Sequence, residues 1–250
     1  MSPKRRRLTP AALILAVLSA LLLIASRPAQ AQTEIVLYNF CTALNCADGT
    51  FPESSLTADG KGNLYGTTEQ GGEWGYGTVF EISPNGSEGW NETVLYSFCS
   101  EGGASCADGS RPLFSSVIFD GAGNLYGTTY TGGANGRGVV FELSPGGESW
   151  TETVLYSFAG VGNSGRPTNG LIMDPVGNLY GTTGGAGAGL ATTVFELSQS
   201  GGNWTEQAFY SVDHQSGVNY NSGLAMDAAG NIFGIGHHKV FELSPNGNGG

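Results

Sequence analysis

One ten-residue word, Asp-x-x-Gly-Asn-Leu-Tyr-Gly-Thr-Thr, begins at Asp59, Asp120 and Asp174 and returns in a degraded form at Asp227. Its Asn falls at 63, 124, 178 and 231, giving spacings of 61, 54 and 53 residues. A period of this length means an array of supersecondary units, each leaning on the next to bury its apolar face. Three further words recur in step. Val-Phe-Glu-Ile/Leu-Ser begins at Val79, Val140, Val194 and Val240, and Glu-x-Val-Leu-Tyr-x-Phe at Glu34, Glu92 and Glu152, loosened at Glu206. A short apolar stretch precedes each turn Asp, at 56–58, 117–119, 171–173 and 224–226. All are short, rich in Val, Leu, Phe and Tyr, and bounded by Gly, Pro, Asn or Ser, which predicts strands.

Four words in each of four copies make sixteen strands, joined by connections short enough for antiparallel neighbours. The expected fold is all-β and β-propeller-like, with about four antiparallel strands per repeat, either a closed four-bladed ring or part of a larger propeller. The strand at 34–40 comes first and the one at 240–244 last, although elsewhere these two types are hairpin partners. The first strand can therefore pair with the last and close a ring. Composition agrees: 42 Gly in 250 residues disfavour helical bundles. The 12 Phe, 10 Tyr and 4 Trp supply apolar surface that a disordered chain lacks, and no Gly-X-Y period marks collagen.

Residues 4–7 (Lys-Arg-Arg-Arg), the apolar run 11–25 and Ala29-Gln30-Ala31 have the charge, apolar and cleavage regions of an export signal. As a helix that run would cover ~22 Å, short of a hydrocarbon core of roughly 30 Å. The predicted domains are a signal peptide at 1–31 and a repeat domain at 32–250, with strand sets starting near Glu34, Glu92, Glu152 and Glu206. No downstream stretch is long enough to span a bilayer as a helix, so the expected location is secreted, cell-surface or periplasmic. After the signal, five basic residues face 21 acidic ones, a net charge of −16 that excludes nucleic acid as a partner.

Cys41-x4-Cys46 and Cys99-x6-Cys106 are each followed by Ala-Asp-Gly, at the same point of the repeat. In an exported chain this spacing favours two local disulfides over a four-Cys zinc site. In the Asp-x-x-Gly-Asn word, Asp59, Asp120, Asp174 and Asp227, with Asn63, Asn124, Asn178 and Asn231, read as structural turn residues. Gly66, Gly127, Gly181 and Gly234 lie inside strands, where they predict a bulge or the close approach of another backbone. Trp90, Trp150 and Trp204 recur at one offset, as packing residues do.

The Asp-x-x-Gly-Asn-Leu-Tyr-Gly-Thr-Thr and Val-Phe-Glu-Leu-Ser words resemble those of the GloVer tandem-repeat family, bacterial surface proteins with varied C-terminal anchors. The resemblance covers roughly residues 34–245. It implies export, cell-surface location and repeat architecture, and assigns no activity and no catalytic residue. Four copies followed by 246–250 (Asn-Gly-Asn-Gly-Gly) rather than an anchor make a truncated member one expectation.

Chemistry on a repetitive scaffold is sought in residues that occur once. His214, His237 and His238 all lie in the last copy. Asp213 and His214 form the one orienter–base candidate, without an evident nucleophile, and the His237–His238 pair lacks metal-ligand spacing. The Gly-rich run 184–189 aligns with the variable loops at 71–77 and 132–138, and no helix follows it to bind phosphate. The Glu rows at 81, 142, 196 and 242, and at 34, 92, 152 and 206, read as solubilising charges on exposed strand faces. Ca²⁺ has no spaced Asp-x-Asp-x-Asp-Gly loop to bind it, and no cofactor is expected. Trp74, Tyr76, Tyr130 and Tyr220 lie outside the repeated words and are candidate ligand contacts, with burial between repeats weighed equally against binding.

The expected function is an exported, non-catalytic module that binds a carbohydrate or another surface protein. An extracellular polysaccharide or peptide lyase or hydrolase using Asp213 and His214 is the alternative. A third reading is an incomplete propeller that dimerises.

Overall fold

A computed structural model describes residues 33–86, 89–100, 105–147, 149–159, 165–184, 192–212, 223–236 and 239–245. The chain divides into two compact units, Met1–Val36 and Leu37–Gly250. Of the first unit, residues 33–36 are described, without regular secondary structure and exposed. The signal peptide at 1–31 lies outside the described residues.

The second unit is a propeller-like series of antiparallel sheets, one per copy. The first sheet runs in the order β1 (Thr57–Ala58), β2 (Leu64–Thr68), β3 (Thr78–Pro84), β4 (Trp90–Ser97). The second repeats it with β5 (Ile118–Phe119), β6 (Leu125–Thr128), β7 (Val139–Pro145) and β8 (Trp150–Ser157). In the third, β9 (Arg166–Pro167) is an added strand on β11 (Leu179–Gly184), alongside β10 (Ile172–Met173), β12 (Thr192–Ser200) and β13 (Asn203–Val212). The fourth holds β14 (Ala225–Met226), β15 (Ile232–Gly236) and β16 (Lys239–Leu243). A register shift recurs within the Val-Phe word, at Val79/Phe80, Val140/Phe141 and Val194/Phe195, so the copies share their irregularity as well as their strands.

The strand expected at 34–40 does not form, and residues 33–39 carry no regular secondary structure. Its relatives β4, β8 and β13 each pair with the strand immediately before them in the chain, and the first Glu-x-Val-Leu-Tyr word has no such predecessor. Among the described residues the fourth sheet correspondingly has three strands, and Val240 in β16 is 74% exposed.

Packing between sheets explains the spelling of the words. Phe98, after β4, meets Phe141 of the next copy with ring centroids 5.1 Å apart, and Phe158 meets Phe195 at 5.2 Å. All four rings are fully buried. Phe40 takes the corresponding position against Phe80, at 4.8 Å. Each buried Phe contributes about 2–3 kcal/mol from area alone, and each edge-on ring pair about 0.5–1.5 more. Around these rings one core joins copies one and two through Tyr65, Val79, Val117 and Leu125. A second joins copies two and three through Tyr126, Val140, Leu171 and Leu197. Trp150 packs on the first core and Trp204 on the second.

The strand glycines face rings rather than another sheet's backbone. A Cβ on Gly66 would lie 2.6 Å from Phe80 Cζ, and on Gly127 or Gly181 it would lie 2.5 Å from Cζ of Phe141 or Phe195. Gly234 stands in the same relation to Phe241. Each Phe ring fills the space that a side chain on the Gly opposite it in register would need, so the Leu-Tyr-Gly and Val-Phe-Glu words depend on each other.

Candidate functional site

The carboxylates repeated in every copy are occupied by the fold. Asp120 Oδ1 accepts the N–H groups of Ala122 (2.8 Å) and Asn124 (2.9 Å), while Oδ2 accepts Asn124 Nδ2 (2.8 Å) and the Tyr126 hydroxyl (3.1 Å). Asp59 and Asp174 make the same four bonds with Lys61, Asn63 and Tyr65 and with Val176, Asn178 and Tyr180. Asp227 bonds Ala229 and Asn231, and Phe233 stands where the other copies have Tyr. Gly62, Gly123, Gly177 and Gly230 take φ of +92°, +91°, +95° and +83°, which closes the turn. Burial raises the pKa of Asp120, and its bonds from Asn124, Ala122 and Tyr126 outweigh that and hold it below the ordinary value.

Cys41 is joined to Cys46 and Cys99 to Cys106. Each bridge positions a buried carboxylate that the sequence reading missed. Asp108 Oδ2 accepts Tyr96 OH and Ser100 N, both at 2.8 Å, and Ser100 Oγ at 3.1 Å. Asp48 repeats this with Tyr38 OH, Thr42 N and Thr42 Oγ1. The clue was present in the Ala-Asp-Gly that follows each Cys pair.

Glu92 is a correction to the solubilising role expected for its row: it is half-buried, with Oε1 shielded from solvent. Burial, followed by the nearby Asp48 charge, raises its pKa to about 7. The next copies keep the theme, with Tyr156 OH donating to Glu206 Oε2 at 3.4 Å.

Trp74 and Tyr76 lie on the loop between β2 and β3 and are 47% and 46% exposed. That loop is held by peptide groups: Gly72 N to Cys46 O (2.9 Å), Gly75 N to Gly72 O (3.3 Å) and Gly77 N to Gly71 O (2.9 Å). The second copy has the same three bonds, Gly133 N to Cys106 O (2.8 Å), Gly136 N to Gly133 O (3.1 Å) and Gly138 N to Gly132 O (2.9 Å). Its Ser157 Oγ accepts Ala134 N as Ser97 Oγ accepts Glu73 N. Yet Asn135 and Arg137 stand where the first copy has Trp74 and Tyr76. The backbone forms without the aromatics. Beside Trp74 lies an open groove of about 550 Å³, lined by Glu73, Leu95 and Tyr96 and by Ala47, Ser97 and Ser100. An indole edge beside hydroxyls and a carboxylate offers a flat apolar face with hydrogen-bonding groups around it.

Tyr130 belongs to a different arrangement. The Arg166 guanidinium lies 4.9 Å from its ring centroid. At the equivalent point one copy earlier, Arg111 Nε donates to Glu69 Oε1 at 2.9 Å, and the two form an ion pair. Residues 69 and 130 therefore receive an Arg from the following copy, and Tyr130 is half-buried as a contact between repeats. Asp213, His214, Tyr220, His237 and His238 lie outside the described residues. Among the described residues, no group of three or more His, Cys, Asp or Glu side chains gathers as a metal site. No described helix is long and apolar enough to cross a membrane, which says nothing of a β-barrel.

No curated protein matches the chain. A solved structure described as "Bifunctional GH43-CE" from Bacteroides eggerthii is similar at 16% identity with a TM-score of 0.45, over 80% of this chain and 25% of that one. The chain thus spans about a quarter of that protein's length. The model of the Gloeobacter/Verrucomicrobia repeat matches residues 104–249, more than half of the chain, including the Asp120, Asp174 and Asp227 turns and the last three Val-Phe-Glu words. In agreement with the GloVer-type spelling of its repeats, the chain belongs to the Gloeobacter/Verrucomicrobia repeat family.

Proposed function

We propose that this chain is an exported, non-catalytic binding module of the cell surface, and that its first copy holds a glycan against Trp74. The observation that carries the reading is the pair of matched loops: the backbone at 130–138 reproduces that at 69–77 with Asn135 and Arg137 in place of the aromatics. A large apolar side chain that folding does not require, kept about half exposed beside a groove, is accounted for by a ligand. Two disulfides and the signal-like residues 1–31 support an oxidising, extracytoplasmic location. The non-catalytic reading is supported by the commitment of the recurring Asp carboxylates to turn and loop bonds.

The test is thermal unfolding of the exported chain with a panel of soluble glycans. A ligand at a hundred times its Kd adds about 2.7 kcal/mol of stability. The expected result is stabilisation by one glycan class that Trp74→Ala abolishes. A shift that persists in Trp74→Ala, or no shift with any glycan, would reject the site.

A further inference from the structure

A second cavity, of about 410 Å³, lies where the segments leading into the four turns meet. It is lined by equivalent stretches of all four copies: Glu53 and Ser55 from the first, Phe114 and Ser116 from the second, Asn169 from the third and Leu224 from the fourth. These residues lie three to six positions before Asp59, Asp120, Asp174 and Asp227. Its walls are tied together across copies. Thr67 Oγ1 is 3.1 Å from Pro112 O and 3.0 Å from Ser115 O, and Thr128 Oγ1 is 3.0 Å from Asn169 O. Ser54 Oγ and Ser115 Oγ accept Thr67 N and Thr128 N, both at 2.9 Å, fixing each segment to its own sheet. A Cβ on Gly170 would lie 2.9 Å from Ser116 O, so the third segment is pressed against the second.

On this fixed frame the lining side chains differ from copy to copy. Glu53 carries the one charge among the lining residues, and none of them is basic. Phe114 is 39% exposed and takes φ of +54°, a left-handed conformation costly for an aromatic residue. We propose that this cavity is a binding site for an alkylammonium group, held by the Glu53 carboxylate and the face of Phe114, with the Ser55 and Ser116 hydroxyls accepting its remaining N–H donors. A carboxylate and an aromatic face both attract a cation and repel an anion. The net charge of −16 after residue 31 favours the same sign of ligand. Such a group occurs on an amino sugar or on a lysine side chain.

The experiment titrates the intact protein at low salt with two matched pairs, glucosamine against N-acetylglucosamine and lysine amide against norleucine amide, following the Ser116, Gly170 and Gly223 amide resonances. The charged member of at least one pair is expected to shift them, and its neutral partner to bind about tenfold or more weaker. Shifts with glucosamine alone identify a glycan source, and shifts with lysine amide alone a peptide source. Glu53→Gln and Phe114→Ala, both at exposed positions, each remove the preference for the charged member. Trp74→Ala leaves it intact, so failure here is separable from failure of the glycan groove. Equal binding within both pairs, no shift with any of the four, or an unchanged preference in Glu53→Gln would overturn the proposal. Should a variant unfold, loss of the shifts in the parent protein at high salt supplies the same decision.

Discussion

The turn at Asp120 and the loop at 130–138 follow opposite rules of copying. In the turn, one carboxylate closes four hydrogen bonds, so Asp, Asn and Tyr recur with nearly the same distances at Asp59 and Asp174. In the loop the bonds run between peptide groups, so the glycines recur and the residues between them change from Trp74 and Tyr76 to Asn135 and Arg137. A repeat copies a side chain where the side chain closes the structure. Where the backbone closes it, the positions between the glycines are free to vary.

The largest effect is expected from the rings that join copies. Phe141→Ala leaves Phe98 without its partner in the next copy and opens a space above Gly127. It should cost about 3–5 kcal/mol in urea unfolding; a loss near that of a surface substitution would show that the sheets do not depend on one another. Asp120→Ala comes next, at about 1.5–3 kcal/mol, because four donors lose one charged acceptor. Its loop counterpart Asn135→Ala should stay within about 0.5 kcal/mol. Equal costs at the two sites would erase the distinction between turn and loop.

A pH titration examines the buried acids more finely. The pKa of Glu92 is about 7 in the folded chain, above its ordinary value of 4.5. The folded state therefore holds a proton that the unfolded state releases, and this contribution is full below pH 4.5 and lost as pH rises through about 7. Glu92→Gln should be less sensitive than the parent to a change from pH 5.5 to 8 in thermal melts. An unchanged pH slope would mean that the fold does not hold Glu92 above its ordinary pKa.

The strands, turns and cysteine pairs were legible because each is a local pattern written several times. What lay hidden depends on how one copy meets the next. Glu92 reads as a surface charge within its own strand, and only the folded chain half-buries it and brings the Asp48 carboxylate, distant in sequence, near it. Tyr130 reads as a loop aromatic until Arg166 of the following copy covers it. The segment at 34–40 carries a strand's spelling but lacks the preceding hairpin partner that β4, β8 and β13 have. The cavity at Glu53 and Phe114 was invisible for the same reason, since its four sides are separated by about one repeat each.

The smallest expected change in stability belongs to the most decisive variant, Trp74→Asn with Tyr76→Arg, which gives the first loop the second loop's residues at both positions. The measurement is the thermal melt of this double variant beside the parent, with and without each member of the soluble glycan panel. The account predicts equal stability within about 0.5 kcal/mol without glycan and loss of the glycan-dependent shift. A variant that melts far below the parent would make the aromatics structural, and one that keeps the full glycan shift would place the ligand elsewhere.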